Sequence, residues 1–522
     1  MWKKQNDFFC FLKKIISKYC FCVFIYENKI FTVKKMVFSV ILFLDLFFFL
    51  SNCENFTILV ANDMHTLSPS FEDQTCPNLN NKESCLPSYK YGKISLNPPM
   101  SLVSLMFSHM KQQLESPDLL ILLGDYPAHP YAQCHTMKYD HATYLELKNI
   151  INLVAEHAKI NYPNTVFLPV LGNNDLKFNY QVPRYDEKAE FYEFLFKIWF
   201  EEHEPNRNLK NFDEIKRTFL SGGFYKVDME NNLRVIVLNT MYFARTNNEI
   251  RDPKTTILQL KWFARRMQEA KENNMQVVLI YHIFPGYCYT KTLYYNFKEN
   301  YSKFFEKILR EYRKNILIAI SGHTHVTSFR FHSNPKKIKG GENEKKRFSF
   351  YGNTFISPAI SPVYKNNPGY STFYLEKNGN FIAKDLVYTH FDLYKYNNIE
   401  ELTNFETNPD PHEFFFNYSF TQTYGVDDLS VRSVKKALQK VRKSLKMFKE
   451  HIMLTYGVQD PAFYEKAASL SIERFGLLKS KEGGFGNWVV DKKEKCRYFC
   501  VMREILEIKF DKCLKKCENI GK

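Results

Sequence analysis

The chain has 522 residues, 45% of them hydrophobic, enough to bury one large core and carry a smaller appendage. A formal charge of +16 raises the question of nucleic acid. The lysines, however, are scattered through an N-terminal leader, a mid-chain loop and C-terminal segments, whereas a nucleic-acid footprint is clustered, so none is expected as a partner.

Residues 1–53 read as a basic leader. Lys34 and Lys35 precede Met36, an apolar run from Val37 to Leu50 follows, and Ser51 and Asn52 supply a cleavage neighbourhood. The run is shorter than the roughly 20 residues that cross a bilayer and contains Asp45, which favours a cleaved signal peptide over a lasting anchor. Two alternatives stay open: an uncleaved signal anchor with its positive end in the cytosol, or translation from Met36. In each case the expected location is the secretory pathway, outside the cell or in a lysosome- or vacuole-like lumen. Sequons at Asn55, Asn300 and Asn417 agree with a glycosylated, luminal chain.

From residue 54 the pattern alternates short apolar runs with longer amphipathic ones. "FTILVAND", "DLLILLGD", "TVFLPVLGN", "RVIVLNT", "QVVLIYH" and "ILIAISGH" are continuous apolar runs too short for buried helices, and read as strands. Helical periodicity marks Ser101 to Glu115, Tyr185 to Glu202 and Ile257 to Lys271. This alternation predicts an α/β core. After His325, "TSFRF", "RFSFYG", "STFYLE" and "NFIAKDLVY" predict strands in hairpin succession, with a charged loop "SNPKKIKGGENEKKR" between the first two. That loop reads as a solvated insertion, or as an electrostatic lip for an anionic substrate.

From about residue 396 the chain turns helical and basic, with "DLSVRSVKKALQKVRKSLKMFKEHIM" as its longest periodic stretch. It closes on Cys496, Cys500, Cys513 and Cys517, two i, i+4 pairs that two helices would each present on one face. With no histidine nearby, disulfides are favoured over zinc, and three pairings are possible.

Five of the six early strands end in metal-competent residues: Asp63 with His65, Asp125, Asn173, His282, and His323 with His325. One Asp or His after a strand is usually a helix cap. A set of them, in order, converges outside the carboxyl ends of the strands of an α/β sheet. Carboxylate, imidazole and amide donors suit a pair of cations bridged by a carboxylate.

The ordered motifs "DMH", "GDYPAH", "GNND", "YH" and "SGHTH" resemble those of the calcineurin-like metallophosphoesterases. "GDYPAH", "HIFPGYC", "SGHTHVTSF" and "ISPAISPVYKNNPGYSTFYLE" resemble the acid sphingomyelinase-like phosphodiesterase branch, without the saposin-like module of acid sphingomyelinase itself. The resemblance implies an α/β/β/α sandwich of two mixed sheets flanked by helices over residues 54–395, and a C-terminal helical subdomain over 396–522. It implies that Asp63, His65 and His325 hold one divalent metal, Asn173, His282 and His323 the second, and that Asp125 bridges them, with zinc the expected ion. A shared water or hydroxide would attack phosphorus, and His129 would face the substrate phosphate, as acid or stabiliser; the alternative is a histidine that merely orients Asp125.

Asn174 departs from the pattern. Where most of the family has a histidine after Gly-Asn, this chain has an amide that can hydrogen-bond a phosphate oxygen but supply no proton. Endopolyphosphatases share Gly-Asn-Asn-Asp, which points towards phosphoanhydrides. The expected substrate is a small-molecule or lipid phosphodiester, with nucleotides and sphingomyelin-type lipids both open. Aromatic residues around "FPGYCY" and the basic C-terminal helices offer a surface for peripheral membrane contact. The competing reading is a phosphate- or lipid-binding protein that keeps its metals and has lost turnover with Asn174.

Overall fold

In the computed structural model, the described residues are 54–520 except 69–88, 130–140, 249–250, 289–293, 337–346, 404–407, 460–477, 480–488, 491 and 504–506. The leader and most of the charged loop thus lie outside them. The principal strands are β1 (Glu54–Ala61), β2 (Leu119–Leu122), β3 (Phe167–Pro169), β4 (Tyr225–Asp228), β5 (Leu233–Leu238), β6 (Gln276–Tyr281), β7 (Ile316–Ser321), β8 (Ser328–Lys336), β9 (Arg347–Ile356), β10 (Gly369–Asn378), β11 (Asn380–Phe391) and β12 (Phe415–Ser419). They form two six-stranded sheets, in the orders β12-β11-β10-β1-β2-β3 and β8-β9-β7-β6-β5-β4.

Both sheets are mixed. β1, β2 and β3 run parallel, and so do β5, β6 and β7, while β10, β11 and β12 pair antiparallel. The parallel strands are covered on both faces, which is why they read as unbroken apolar runs. Ile58, Leu59, Val60, Leu120 and Ile121 are fully buried, and Leu120→Ala would cost about 2–5 kcal/mol. Across the sandwich, Phe355 of β9 meets Phe373 of β10 edge to face at 5.9 Å, and the Gln276 side chain donates to the Phe381 carbonyl at 2.8 Å.

Register brings the ends of the parallel strands together. Ala61 pairs with Leu122, and Leu122 with Pro169; Leu238 pairs with Tyr281, and Ile280 with Ile320. The residues that follow each strand therefore emerge along one edge of the sandwich.

Helix boundaries moved where caps override periodicity. Helix α1 (Met100–Gln113) follows its pattern closely, and α2 (Lys188–Phe196) is shorter than Tyr185 to Glu202, its end passing into a π-turn over Lys197–Glu201. Helix α3 (Pro253–Glu272) starts four residues before Ile257, because Asp252 caps it by accepting from the Thr255 amide at 3.0 Å and Pro253 suits its first turn.

The region past residue 396 is not purely helical, since β12 extends the first sheet by pairing with β11. The long basic stretch is two helices, α4 (Val431–Lys443) and α5 (Leu445–Thr455), broken at Ser444, whose hydroxyl accepts from the Met447 amide at 3.1 Å. Helices α6 (Lys492–Arg503) and α7 (Glu507–Glu518) carry disulfides Cys496–Cys517 and Cys500–Cys513, the nested pairing of an antiparallel hairpin. No described helix is long and apolar enough to cross a membrane.

The end of α5 grips two loops of the sandwich. A helix leaves its last carbonyls without intrahelical partners. Here the Leu454 carbonyl accepts from Thr327 Oγ1 at 3.0 Å, Thr455 from the Thr327 amide at 3.0 Å, Tyr456 from the Asn367 amide at 2.9 Å, and Gly457 from Asn367 Nδ2 at 2.8 Å.

The aromatic surface expected around "FPGYCY" is not a surface. Phe284 and Tyr287 are buried, and Tyr287 stacks on Phe510 of α7 at 3.6 Å. Tyr287 thus packs under the cysteine hairpin and Phe284 in the core, which takes both out of reach of a membrane; Tyr289 lies outside the described residues.

Candidate metal centre

Seven of the side chains singled out in the sequence lie in one buried cluster at the strand ends. Ligand atoms of Asp63, His65 and Asp125 all lie within 4.8 Å of one another, as do those of Asp125, His282 and His323, and those of His65, His129 and His325. Asp125 is common to the first two groups. Its Oδ2 is 3.4 Å from His65 Nε2 and 3.3 Å from His282 Nε2, and Asp63 Oδ1 lies 3.6 to 3.7 Å from the Nε2 atoms of His65, His282 and His325.

These separations are too long for good hydrogen bonds and short enough for atoms sharing an ion. Asp63 Oδ1, His65 Nε2, His282 Nε2 and Asn173 Oδ1 are all buried without a hydrogen-bond partner. Buried polar atoms are rarely left so. Four of them, all oxygen or imidazole nitrogen, match the donors that divalent cations take, so the residues present fit the pair of metals.

Neighbouring groups aim the ligands. His65 Nδ1 faces the Pro127 carbonyl at 3.1 Å and His282 Nδ1 the Leu123 carbonyl at 2.8 Å. A carbonyl only accepts, so each Nδ1 carries a proton, and that contact turns each Nε2 inward towards the carboxylates. Asn173 Nδ2 donates to Asn179 Oδ1 at 3.0 Å, leaving the Asn173 carbonyl oxygen free to ligate. The His323 amide donates to Asp63 Oδ2 at 2.8 Å.

The backbone bends sharply to deliver these groups. Asp63 (φ 44°), His65 (40°), Asp125 (56°), His323 (76°) and His325 (64°) all have left-handed φ. Such positions cost of order 1–3 kcal/mol each and gather at functional sites. Gly172 belongs to the same economy of space, since a Cβ there would strike the Asp125 carboxylate.

Electrostatics follow from burial and proximity. Burial alone would raise the Asp125 carboxyl, but the His282 and His65 rings hold it well below the usual carboxylate range. Burial opposes charge on His282, yet Asp125 and Asp63 raise it to about 10, while burial and the adjacent His282 push His323 down to about 4. Asp175 is raised to about 7 by burial and by Asp125. Its oxygens accept from the backbone amides of Gly172, Asp125 and Tyr126 at 2.7 to 2.9 Å, so it steadies Asp125 through the main chain.

Asn174 does not face open space. Its amide nitrogen donates to Asp125 Oδ2 at 2.8 Å and its backbone N–H to Asp125 Oδ1 at 2.7 Å. It holds the carboxylate shared by the two ligand groups.

His129 stacks on His65, with ring centroids 3.8 Å apart and planes 14° apart. Its Nδ1 is 3.2 Å from Asn97 Oδ1 and its Nε2 3.1 Å from the Tyr364 hydroxyl. Tyr364 also packs edge-on to His325 at 4.4 Å. Sequence reasoning missed Asn97, Tyr364 and Tyr180. Tyr364 sits in the quoted segment just before "NPGY", so a signal was there; Asn97 and Tyr180 carry none. The Tyr180 ring meets His323 at 6.0 Å and 85°, and burial, Asp125 and Asp63 keep its phenol protonated.

The calcineurin-like phosphoesterase profile matches residues 56–327. The chain is 25% identical over 357 residues to "Sphingomyelinase phosphodiesterase D" of Dictyostelium discoideum, covering 67% of this chain and 72% of that one. To human "Cyclic GMP-AMP phosphodiesterase SMPDL3A" it is 25% identical over 355 residues, covering 66% and 69%. To mouse "Acid sphingomyelinase-like phosphodiesterase 3b" it is 23% identical over 410 residues, covering 75% and 78%. A solved dimetal phosphatase from Danio rerio aligns at a TM-score of 0.38 and 12% identity, covering 64% of this chain and 95% of that one. The matched span takes in just over half of the chain and every candidate ligand from Asp63 to His325, and the protein belongs to the calcineurin-like phosphoesterase family.

Proposed function

We propose that the protein is a dimetal phosphodiesterase of the acid sphingomyelinase-like kind, acting on a small-molecule or lipid phosphodiester in the secretory pathway. The observation that carries this reading is the convergence of two ligand groups on one carboxylate, Asp125, with four buried donor atoms otherwise unsatisfied. Asp63, His65 and His325 would hold one cation, Asn173, His282 and His323 the other, and zinc suits the donors. Bound there, such cations polarise a phosphoryl oxygen and bring the pKa of a shared water towards neutrality.

The protein's own part is placement. Asn174 and Asp175 fix Asp125 from the side-chain and backbone sides respectively. His129, held by Asn97 and partly exposed, is placed to protonate a leaving oxygen from Nε2, the atom that now meets Tyr364. The secretory assignment rests on the disulfide hairpin and on the exposure of Asn55, Asn300 and Asn417, the three sequon asparagines.

A second reading, phosphoanhydride cleavage as in nucleotides or polyphosphate, is favoured by Asn174, because its amide is committed to Asp125 and no proton donor stands at that position. One panel separates the substrates: metal-analysed protein against sphingomyelin, a cyclic dinucleotide, ATP and polyphosphate. Asp125→Asn tests the class, with an expected loss of at least about 10³-fold on bis-p-nitrophenyl phosphate, since the metals supply several kcal/mol. Unchanged turnover would refute it.

A further inference from the structure

Tyr180 is the unclaimed hydroxyl of the metal centre. It lies five residues beyond Asp175, in a turn tied down at both ends. The Tyr180 amide donates to the Asn173 carbonyl at 3.1 Å, and the Gln181 amide to the Phe178 carbonyl at 2.8 Å. Gln181 Nε2 donates to the Thr246 carbonyl at 2.7 Å, and its Oε1 accepts from the Asn248 amide at 2.9 Å. Asn179, next to Tyr180, receives the Asn173 amide.

These ties hold Tyr180 at φ 63°, a backbone region that is unusual for an aromatic residue. The surroundings must supply a reason for it. The bend lays the ring against His323, with the residue still partly exposed. Among the described residues, no group hydrogen-bonds the Tyr180 hydroxyl. The neighbouring side-chain donors are committed: Asn173 Nδ2 to Asn179, Asn174 Nδ2 to Asp125, and His129 to Asn97 and Tyr364. His129 and Tyr364 attend the His65 and His325 half, whereas Tyr180 attends the His282 and His323 half.

We propose that Tyr180 is a substrate-contacting catalytic residue, its hydroxyl donating a hydrogen bond to a non-bridging oxygen of the phosphoryl group on the His323 side. The inference rests on the phosphodiesterase reading and adds to it a donor that Asn174, turned onto Asp125, does not provide. A donor aimed at charge that grows in the transition state acts mainly on kcat, and losing one costs about 10²–10³-fold in a well-formed oxyanion site. Tyr180 is partly exposed, so the lower part of that range or somewhat less is expected.

The test is Tyr180→Phe, which keeps the ring and removes the oxygen. With metal-loaded protein and bis-p-nitrophenyl phosphate, kcat is expected to fall about 10–100-fold, with KM changed by less than about threefold. Orthophosphate binding measured by calorimetry is expected to weaken by about tenfold. Metal content and melting temperature stay as in the unsubstituted protein. Wild-type kcat and phosphate affinity in Tyr180→Phe overturn the proposal while leaving the phosphodiesterase reading intact, provided Asp125→Asn is inactive. A parent protein that neither turns over a phosphodiester nor binds orthophosphate overturns both. Loss of metal from Tyr180→Phe also overturns it, because the tyrosine would then be supporting the ligands.

Discussion

The two halves of the metal centre are built differently. On one side His65, His129 and His325 stack ring on ring, and the outermost of them, His129, is engaged at both nitrogens. On the other side stand His282 and His323 with two asparagines, one amide turned onto Asn179 and the other onto Asp125. The first half is a stack of imidazoles whose rim member is held by hydrogen bonds on both sides. The second carries amides where proton chemistry would need a titratable group, and has one tyrosine hydroxyl to spare. The difference teaches where to look for a division of labour, and under the proposed function it assigns proton delivery to the first half and charge stabilisation to the second.

The sharpest way to break that division is His129→Gln. If proton delivery belongs to the first half, kcat/KM falls about 10²-fold or more on a substrate with a poor leaving group, and much less on a p-nitrophenyl ester; equal losses on both would place His129 among structural residues. Next comes Asn174→Ala. Removing the amide that braces Asp125 is expected to weaken retention of metal and turnover together by about tenfold, read by chelator competition beside steady-state rates. A tenfold rate loss with undiminished metal affinity would instead give Asn174 a direct contact with phosphate. The smallest effect is expected from Tyr364→Phe, a few-fold loss of kcat with the alkaline limb of the pH profile displaced, since a general acid stops working as it loses its proton and the phenol would act through His129. No displacement of that limb would detach Tyr364 from proton transfer.

How much of this was legible in the sequence follows from where each residue sits. Asp63, Asp125, Asn173, His282 and His323 end buried parallel strands, and such strands announce themselves as apolar runs. Their register does the rest. Asn97, Tyr180 and Tyr364 come from loops that reach the site through tertiary contact, so no period marks them. Phe284 and Tyr287 failed as membrane anchors for a related reason: Phe510, which covers Tyr287, is more than 200 positions away in the chain. The break at Ser444 and the early start of α3 are cap effects, invisible to hydrophobic periodicity.

The four carbonyls at the end of α5 set a lower limit on any workable fragment. Thr327 lies two residues past His325, and Asn367 three past Tyr364, so both loops beside the first half of the site are moored to residues 454–457. An expression boundary drawn at residue 395, or a protease nick in α4, would set those moorings adrift. Thr327 and Asn367 would then have to find water in place of a helix end, and the stack of His65, His129 and His325 would loosen before the sandwich itself came apart.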